Sequence, residues 1–299
     1  MENEKPMQFS YGGQAIIEGV MMRGQYIAAI AVRNPKGEIE MKEVPLNAAL
    51  YRSRIARTPF LRGLVMLWDA LGLGTRALLW SADVAMPEEE EGTKPEFSFE
   101  GAAGMGLVVI SLSFGIGLFF VFPAAMSAGV KSLTGLDSRF AADVIEGVIK
   151  LGLVLGYIWA IGRMKDIARL FGYHGAEHKT INAYEAGEEL TPANVAKFSV
   201  QHPRCGTAFL LTLVSLSVLI HIVTGRPHNI ALLLASRIGL IFPIAGIAYE
   251  VLRFSAKHQN NRLMRWINKP NMALQKLTTR EPDLDMIAVA IAALQRVLA

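Results

Sequence analysis

GAAGMGLVVISLSFGIGLFFVFPAAM, residues 101–126, contains no charged side chain, and the charge-free run continues to Val130. A helix needs about 20 apolar residues to cross a hydrocarbon core of about 30 Å. This stretch predicts a spanning helix and sets the fold class as a mainly α, polytopic membrane protein. Three more segments follow. Val144–Ile161 has Glu146 and Lys150 in its first turns, and Thr207–Val223 carries His221 near its end. Ile230–Leu252 contains Arg237 and ends at Glu250, so it spans only if those groups snorkel or face protein. A buried hairpin inside a soluble domain is the alternative for the last pair. Composition agrees with a membrane chain: 52% of the 299 residues are hydrophobic and 19% charged, against about 45–50% and about 25% in soluble domains.

Basic residues set the expected orientation. Arg163, Lys165, Arg169, Lys179, Lys197 and Arg204 crowd the segment between spans two and three. Arg253, Lys257, Arg262, Arg265, Lys269, Lys276 and Arg280 follow span four, and Arg52, Arg54, Arg57 and Arg62 precede span one. The other two connections hold only Lys131 and Arg139, and Arg226. Cytoplasmic loops carry the Lys/Arg excess, so four spans with both termini and the long central segment inside are expected. A net charge of +4 gathered in loops is explained by topology, and no nucleic-acid partner is expected. The first residues have no apolar core before Gly12, so no cleavable signal is read there. A lone cysteine, Cys205, excludes a disulfide within the chain.

Residues 8–58 read as an N-terminal cytoplasmic unit. Ile27–Arg33 and Glu38–Val44 form a β-hairpin around Asn34-Pro35-Lys36-Gly37. Before it, GGQAIIEGVMMRG (residues 12–24) lacks the glycine spacing of a nucleotide-binding loop. Glu18 and Arg23 form a charged pair within that apolar stretch. Residues 59–86 read as an amphipathic or re-entrant helix with Trp68 and Trp80 near headgroup level. Residues 87–100 are an acidic linker. Residues 101–254 form the membrane domain, with a cytoplasmic insert at 163–205. Residues 255–299 give basic amphipathic C-terminal helices: Ser255–Lys276 reads as a membrane-surface helix, and Pro282–Ala299 as a mostly apolar helix too short to span.

The insert carries the chemistry. Tyr173-His174-Gly175-Ala176-Glu177-His178-Lys179 reads H-x-x-E-H, the inverted zincin spacing. On a helix His174 and His178 lie one turn apart on one face, able to share a Zn²⁺, with Glu177 beside them as a general base. A catalytic zinc has three protein ligands and a structural one four. Glu250, downstream at the end of span four, or His202 is the candidate for the third. Gln201-His202-Pro203-Arg204-Cys205-Gly206 supplies another set, because His202 and Cys205 with the two motif histidines make a closed His₃Cys site. Both alternatives stay open. Glu185 lies almost two turns beyond His178, too far along the helix to share the ion. Lys179, Asn182 and Tyr184 are candidates to orient the imidazoles. His221, His228 and His258 have no partner at ligand spacing.

Residues 12–23, Tyr173–Thr180 and His202-Pro203-Arg204-Cys205-Gly206-Thr207, in this order, resemble the YqhQ-like bacterial membrane proteins over about residues 8–280. This is a family with a domain of unknown function, described as predicted metal-dependent enzymes. The resemblance implies a multi-pass protein of the bacterial inner membrane and a metal site at His174, Glu177 and His178. Two functions are therefore expected to compete. One is a metal-dependent hydrolase at the cytoplasmic face of the bilayer, acting on a membrane or peptide substrate. The other is a non-enzymatic transporter or scaffold with a structural His/Cys site. Either is compatible with an oligomer.

Overall fold

The computed structural model describes residues 11–47, 53–86, 106, 109–111, 113–115, 117–135, 138–225, 227, 229–258 and 261–299. The acidic linker 87–100, the first residues of span one (101–105) and His228 lie outside them. The chain is mainly helical, with one small sheet.

Strands β1 (Gly12–Ile16), β2 (Gly19–Arg23), β3 (Ile27–Arg33) and β4 (Ile39–Pro45) form an antiparallel sheet in the order β1-β2-β3-β4. The expected hairpin is β3–β4. Its turn is closed by the Asn34 side chain, which accepts from Glu38 N at 2.9 Å, and by Gly37 at φ +87°. The glycine-rich segment before it is a second hairpin, β1–β2, with Ile16 opposite Gly19 and Glu18 at φ 49° in the two-residue turn. It was not read as strand because its apolar residues run continuously instead of alternating. Such runs arise where both faces of a strand are covered, as here. On one face Ala28, Ile30 and Val32 pack with Leu73 and Ala77; on the other, Val20, Met22 and Ala31 pack with Tyr173, Ile287 and Ala290.

Helices build both covers. A short turn α1 (Arg54–Arg57), capped by Ser53, leads into α2 (Leu61–Ala85), one continuous 25-residue helix lying on the first face. The π-helical stretch Gly117–Val121 runs into α3 (Phe122–Thr134); α4 (Arg139–Ile161) follows, then α5 (Lys165–Ala186) and the short α6 (Pro192–Val195). After them come α7 (Thr207–Thr224), α8 (Ile230–Gly239), α9 (Ile241–Lys257), α10 (Arg262–Thr278) and α11 (Leu284–Leu298). The second face of the sheet is covered by α5 and α11. The C-terminal apolar helix is therefore part of the core.

Among the described residues four helices are long and apolar enough to cross a membrane: Val109–Thr134, Phe140–Ile161, Thr207–Thr224 and Ala231–Lys257. The fourth is broken at Leu240, between α8 and α9. Pro243 has no N–H to give the Gly239 carbonyl, which removes a rung of the ladder at that point. The charges in the middle of the spans face protein. Asp143, Glu146 and Lys150 of α4, His221 of α7 and Arg237 of α8 are all buried together. Arg237 lies 3.7 Å from Asp143 and 3.5 Å from Glu146.

Candidate metal centre

Helix α5 has a polar sequence, yet its middle, from Gly172 to Ile181, is buried apart from His174, which is partly so. It is clamped by the connection between α10 and α11. Arg280 N donates to Phe171 O at 2.9 Å, and its guanidinium reaches the Gly162 carbonyl. The approach depends on Gly175. A Cβ there would lie 2.1 Å from the Arg280 carbonyl oxygen.

His174 and His178 are each fixed through Nδ1. His174 Nδ1 lies 2.8 Å from the Thr278 carbonyl, and His178 Nδ1 lies 2.6 Å from the Val200 carbonyl. A carbonyl can only accept, so each Nδ1 carries the proton, and in the neutral ring Nε2 keeps its lone pair. This is the arrangement by which an outer partner sets tautomer and orientation in a metal-binding histidine. The ring centroids are 4.4 Å apart. Cys205 Sγ lies 3.3 Å from His174 Nε2. Donor atoms of His174, His178 and Cys205 fall within 4.8 Å of one another. Two ligands at about 2.0 and 2.3 Å from one tetrahedral ion would be about 3.5 Å apart, so the His174–Cys205 separation suits a shared ion. The Thr207 hydroxyl and N–H also lie against the sulfur, at 3.0 and 3.4 Å. The donor set thus fits a soft-to-borderline divalent metal such as zinc.

Glu177 is 5% exposed, and its carboxylate accepts the Gly13 N–H at 2.9 Å. It lines, with the three donor residues, a cavity of about 260 Å³. Gly12, Gly13 and Gln14 of β1 form another wall, and Met21, Ala70 and Leu73 make an apolar one. Arg23, bound to Asp69 at 3.1 Å, ties β2 to α2 beside it.

The other expected site residues have different partners. Glu250 does not join the histidines. Its carboxylate is gripped by the Arg62 guanidinium and by Phe60 N at 3.1 Å, which joins α9 to the start of α2. His202 stays close, its ring 5.7 Å from that of His178, but lies outside the converging donor set. Its Nε2 faces Glu185 at 3.6 Å. Burial pushes the Glu185 carboxyl up, while the His202 imidazole and the Arg204 guanidinium together take it below the usual range. Glu18 and Arg23 do not pair with each other: Glu18 binds Arg169 and accepts from the Tyr173 hydroxyl at 3.2 Å. The Arg169 hydrogen bond holds the Glu18 carboxyl below its ordinary range. Lys179 and Asn182 act on the loop, not on the rings. Lys179 Nζ donates to Ala196 O at 2.7 Å, and Asn182 Nδ2 to Ser199 O and Gln201 O at 2.8 and 3.0 Å. They fix the segment whose Val200 carbonyl orients His178. Tyr184 instead packs edge-on against Tyr11.

Two supports left no mark in the sequence. Gln275, fully buried, accepts from His202 N and donates to His202 O, each at 2.9 Å. The Thr278 carbonyl is a backbone atom, and side-chain patterns carry no signal for it.

The family described as "Protein of unknown function (DUF1385)" matches residues 58–299. A protein of Bacillus subtilis (strain 168), described as uncharacterized protein YqhQ, is 31% identical over 296 residues, covering 97% of this chain and 92% of its own. No solved structure matches.

Proposed function

The chain belongs to the DUF1385 family of proteins of unknown function, and on that premise we propose that it is a metal-dependent hydrolase of the bacterial inner membrane, its site on the cytoplasmic face. The observation that carries this reading is the convergence of His174, His178 and Cys205 in a cavity that also holds Glu177. Three protein donors leave one coordination position for another molecule, as in catalytic zinc sites, whereas structural sites close with four. A divalent metal held there supplies Lewis acidity and makes a bound water more acidic. The Glu177 carboxylate, aimed by the Gly13 N–H, would serve as the base that takes a proton from the attacking water and passes it to the leaving group as the scissile bond breaks. Gly12, Gly13 and the apolar wall of Met21, Ala70 and Leu73 position a peptide or lipid-linked substrate. Cys205 lies two residues before the spanning helix α7, so that substrate is met at the bilayer edge.

Metal content tests the reading. Untagged full-length protein purified in detergent should hold about one zinc per chain. His174→Ala and Cys205→Ser should empty the site, while His202→Gln keeps it. Loss with His202→Gln would make the site a closed, structural one, and no metal in the wild type would sink both. Glu177→Gln should keep the metal; membrane extracts from cells carrying it should accumulate an uncleaved peptide or lipid conjugate. The ion cluster around Arg237 in the spans favours a second reading, a non-enzymatic transporter whose metal is structural.

A further inference from the structure

Helix α10 begins at Arg262, five residues after α9 ends at Lys257. Five residue steps reach at most about 18 Å, so α10 starts near the membrane boundary where the fourth candidate span ends. Its outer surface has two stripes. Leu263, Trp266 and Ile267 are 60%, 67% and 46% exposed, and with exposed Pro270 they follow the i, i+3, i+4, i+7 spacing of one helix face. Arg262, Arg265, Lys269 and Lys276, all exposed, form the adjoining stripe, and α10 contains no acidic residue. The remaining face is buried against protein through Leu274, Gln275 and Thr278.

We propose that α10 is seated on an anionic phospholipid surface. Its apolar stripe enters the acyl boundary and its basic stripe lies on the headgroup phosphates. A zwitterionic surface would satisfy the apolar stripe alone. Four cations on a helix that carries no carboxylate select net negative lipid. This seat lies on the helix that gives the Thr278 carbonyl to His174 and Gln275 to His202, so the lipid contact and the metal centre share one rigid element. The proposal stands whether or not the centre is catalytic.

Full-length protein in nanodiscs, with brominated phosphatidylglycerol or brominated phosphatidylcholine at equal mole fraction, provides the test. Subtracting the Trp266→Phe spectrum isolates the Trp266 emission from that of Trp68, Trp80 and Trp159. Roughly threefold stronger quenching by the anionic lipid is expected. The triple variant Arg262→Glu, Arg265→Glu, Lys269→Glu should lose that preference. Equal quenching by the two lipids, or none by either, would overturn the proposal on the wild type alone. Metal content, read separately, reports on the hydrolase reading.

Discussion

Gly175→Ala puts a single methyl group between the candidate metal ligands and their outer support. The new Cβ would meet the Arg280 carbonyl oxygen at 2.1 Å, where ordinary contact begins at 3.4 Å. Helix α5 is held on both sides, so the connection between α10 and α11 has to retreat by about 1.3 Å. Thr278 lies two residues before Arg280. If it moves equally, the His174 Nδ1 to Thr278 contact lengthens from 2.8 Å to about 4 Å, beyond hydrogen bonding. Overpacking costs about 1–3 kcal/mol and the lost bond about 1 kcal/mol, together about 2–4 kcal/mol of stability. Loss of an outer-shell partner typically weakens metal binding about 10–100-fold. Thermal unfolding and zinc competition against a chromophoric chelator, both in detergent, give the two readouts. Gly72→Ala is the control, because its Cβ meets nothing within 4 Å; it should keep wild-type zinc affinity. Wild-type zinc affinity and melting in Gly175→Ala would refute the placement of the clamp, and with it the role given to the Thr278 carbonyl.

Gln275→Leu should cost about 2–4 kcal/mol, since it strands the buried His202 N–H and carbonyl; a melting temperature within a degree or so of wild type would contradict that. Glu18 has a depressed carboxyl pKa in the folded chain, so the unfolded chain takes up the proton first as pH falls. Its contribution is complete above the ordinary carboxyl range and is lost as pH drops through the folded value. Glu18→Gln should therefore flatten the decline in melting temperature below about pH 4.5, and an unchanged slope would count against it. Arg237→Met leaves the buried Asp143 and Glu146 without their guanidinium and should destabilise the bundle by about 3–5 kcal/mol. Denaturation in mixed micelles would show this, and an unaffected midpoint would mean the ion pairs are not formed.

The spans were legible because about 20 uncharged residues in a row leave few alternatives, and the β3–β4 hairpin because Asn34 and Gly37 mark its turn. The β1–β2 hairpin was not, since Val20, Met21 and Met22 are all buried and show no alternation. The break at Leu240 was hidden inside one apolar run, although Pro243 marked the place. At the candidate site, the one-turn spacing of His174 and His178 could be read from the helical period. The third donor could not. Glu250, His202 and Cys205 are each of a residue type that can bind zinc, and only packing separates them: Arg62 takes Glu250, Glu185 faces His202, and Cys205, just before α7, lies against His174. The burial of Lys179 was also illegible, because its value as an anchor depends on carbonyls in a loop 17 residues away.

The sheet lies at the start of the chain and one of its covers at the end. Val20, Met22 and Ala31 are sealed by Ile287 and Ala290 of α11, so strands made early are covered only by a helix that starts at Leu284. At about 5–20 residues per second, α11 follows β4 out of the ribosome by roughly 10–50 s, with four membrane insertions in between. For that interval the strands present an open apolar face to the cell. A stalled or misinserted span would leave the early sheet uncovered, marking the chain for quality control before any chemistry at the site could begin.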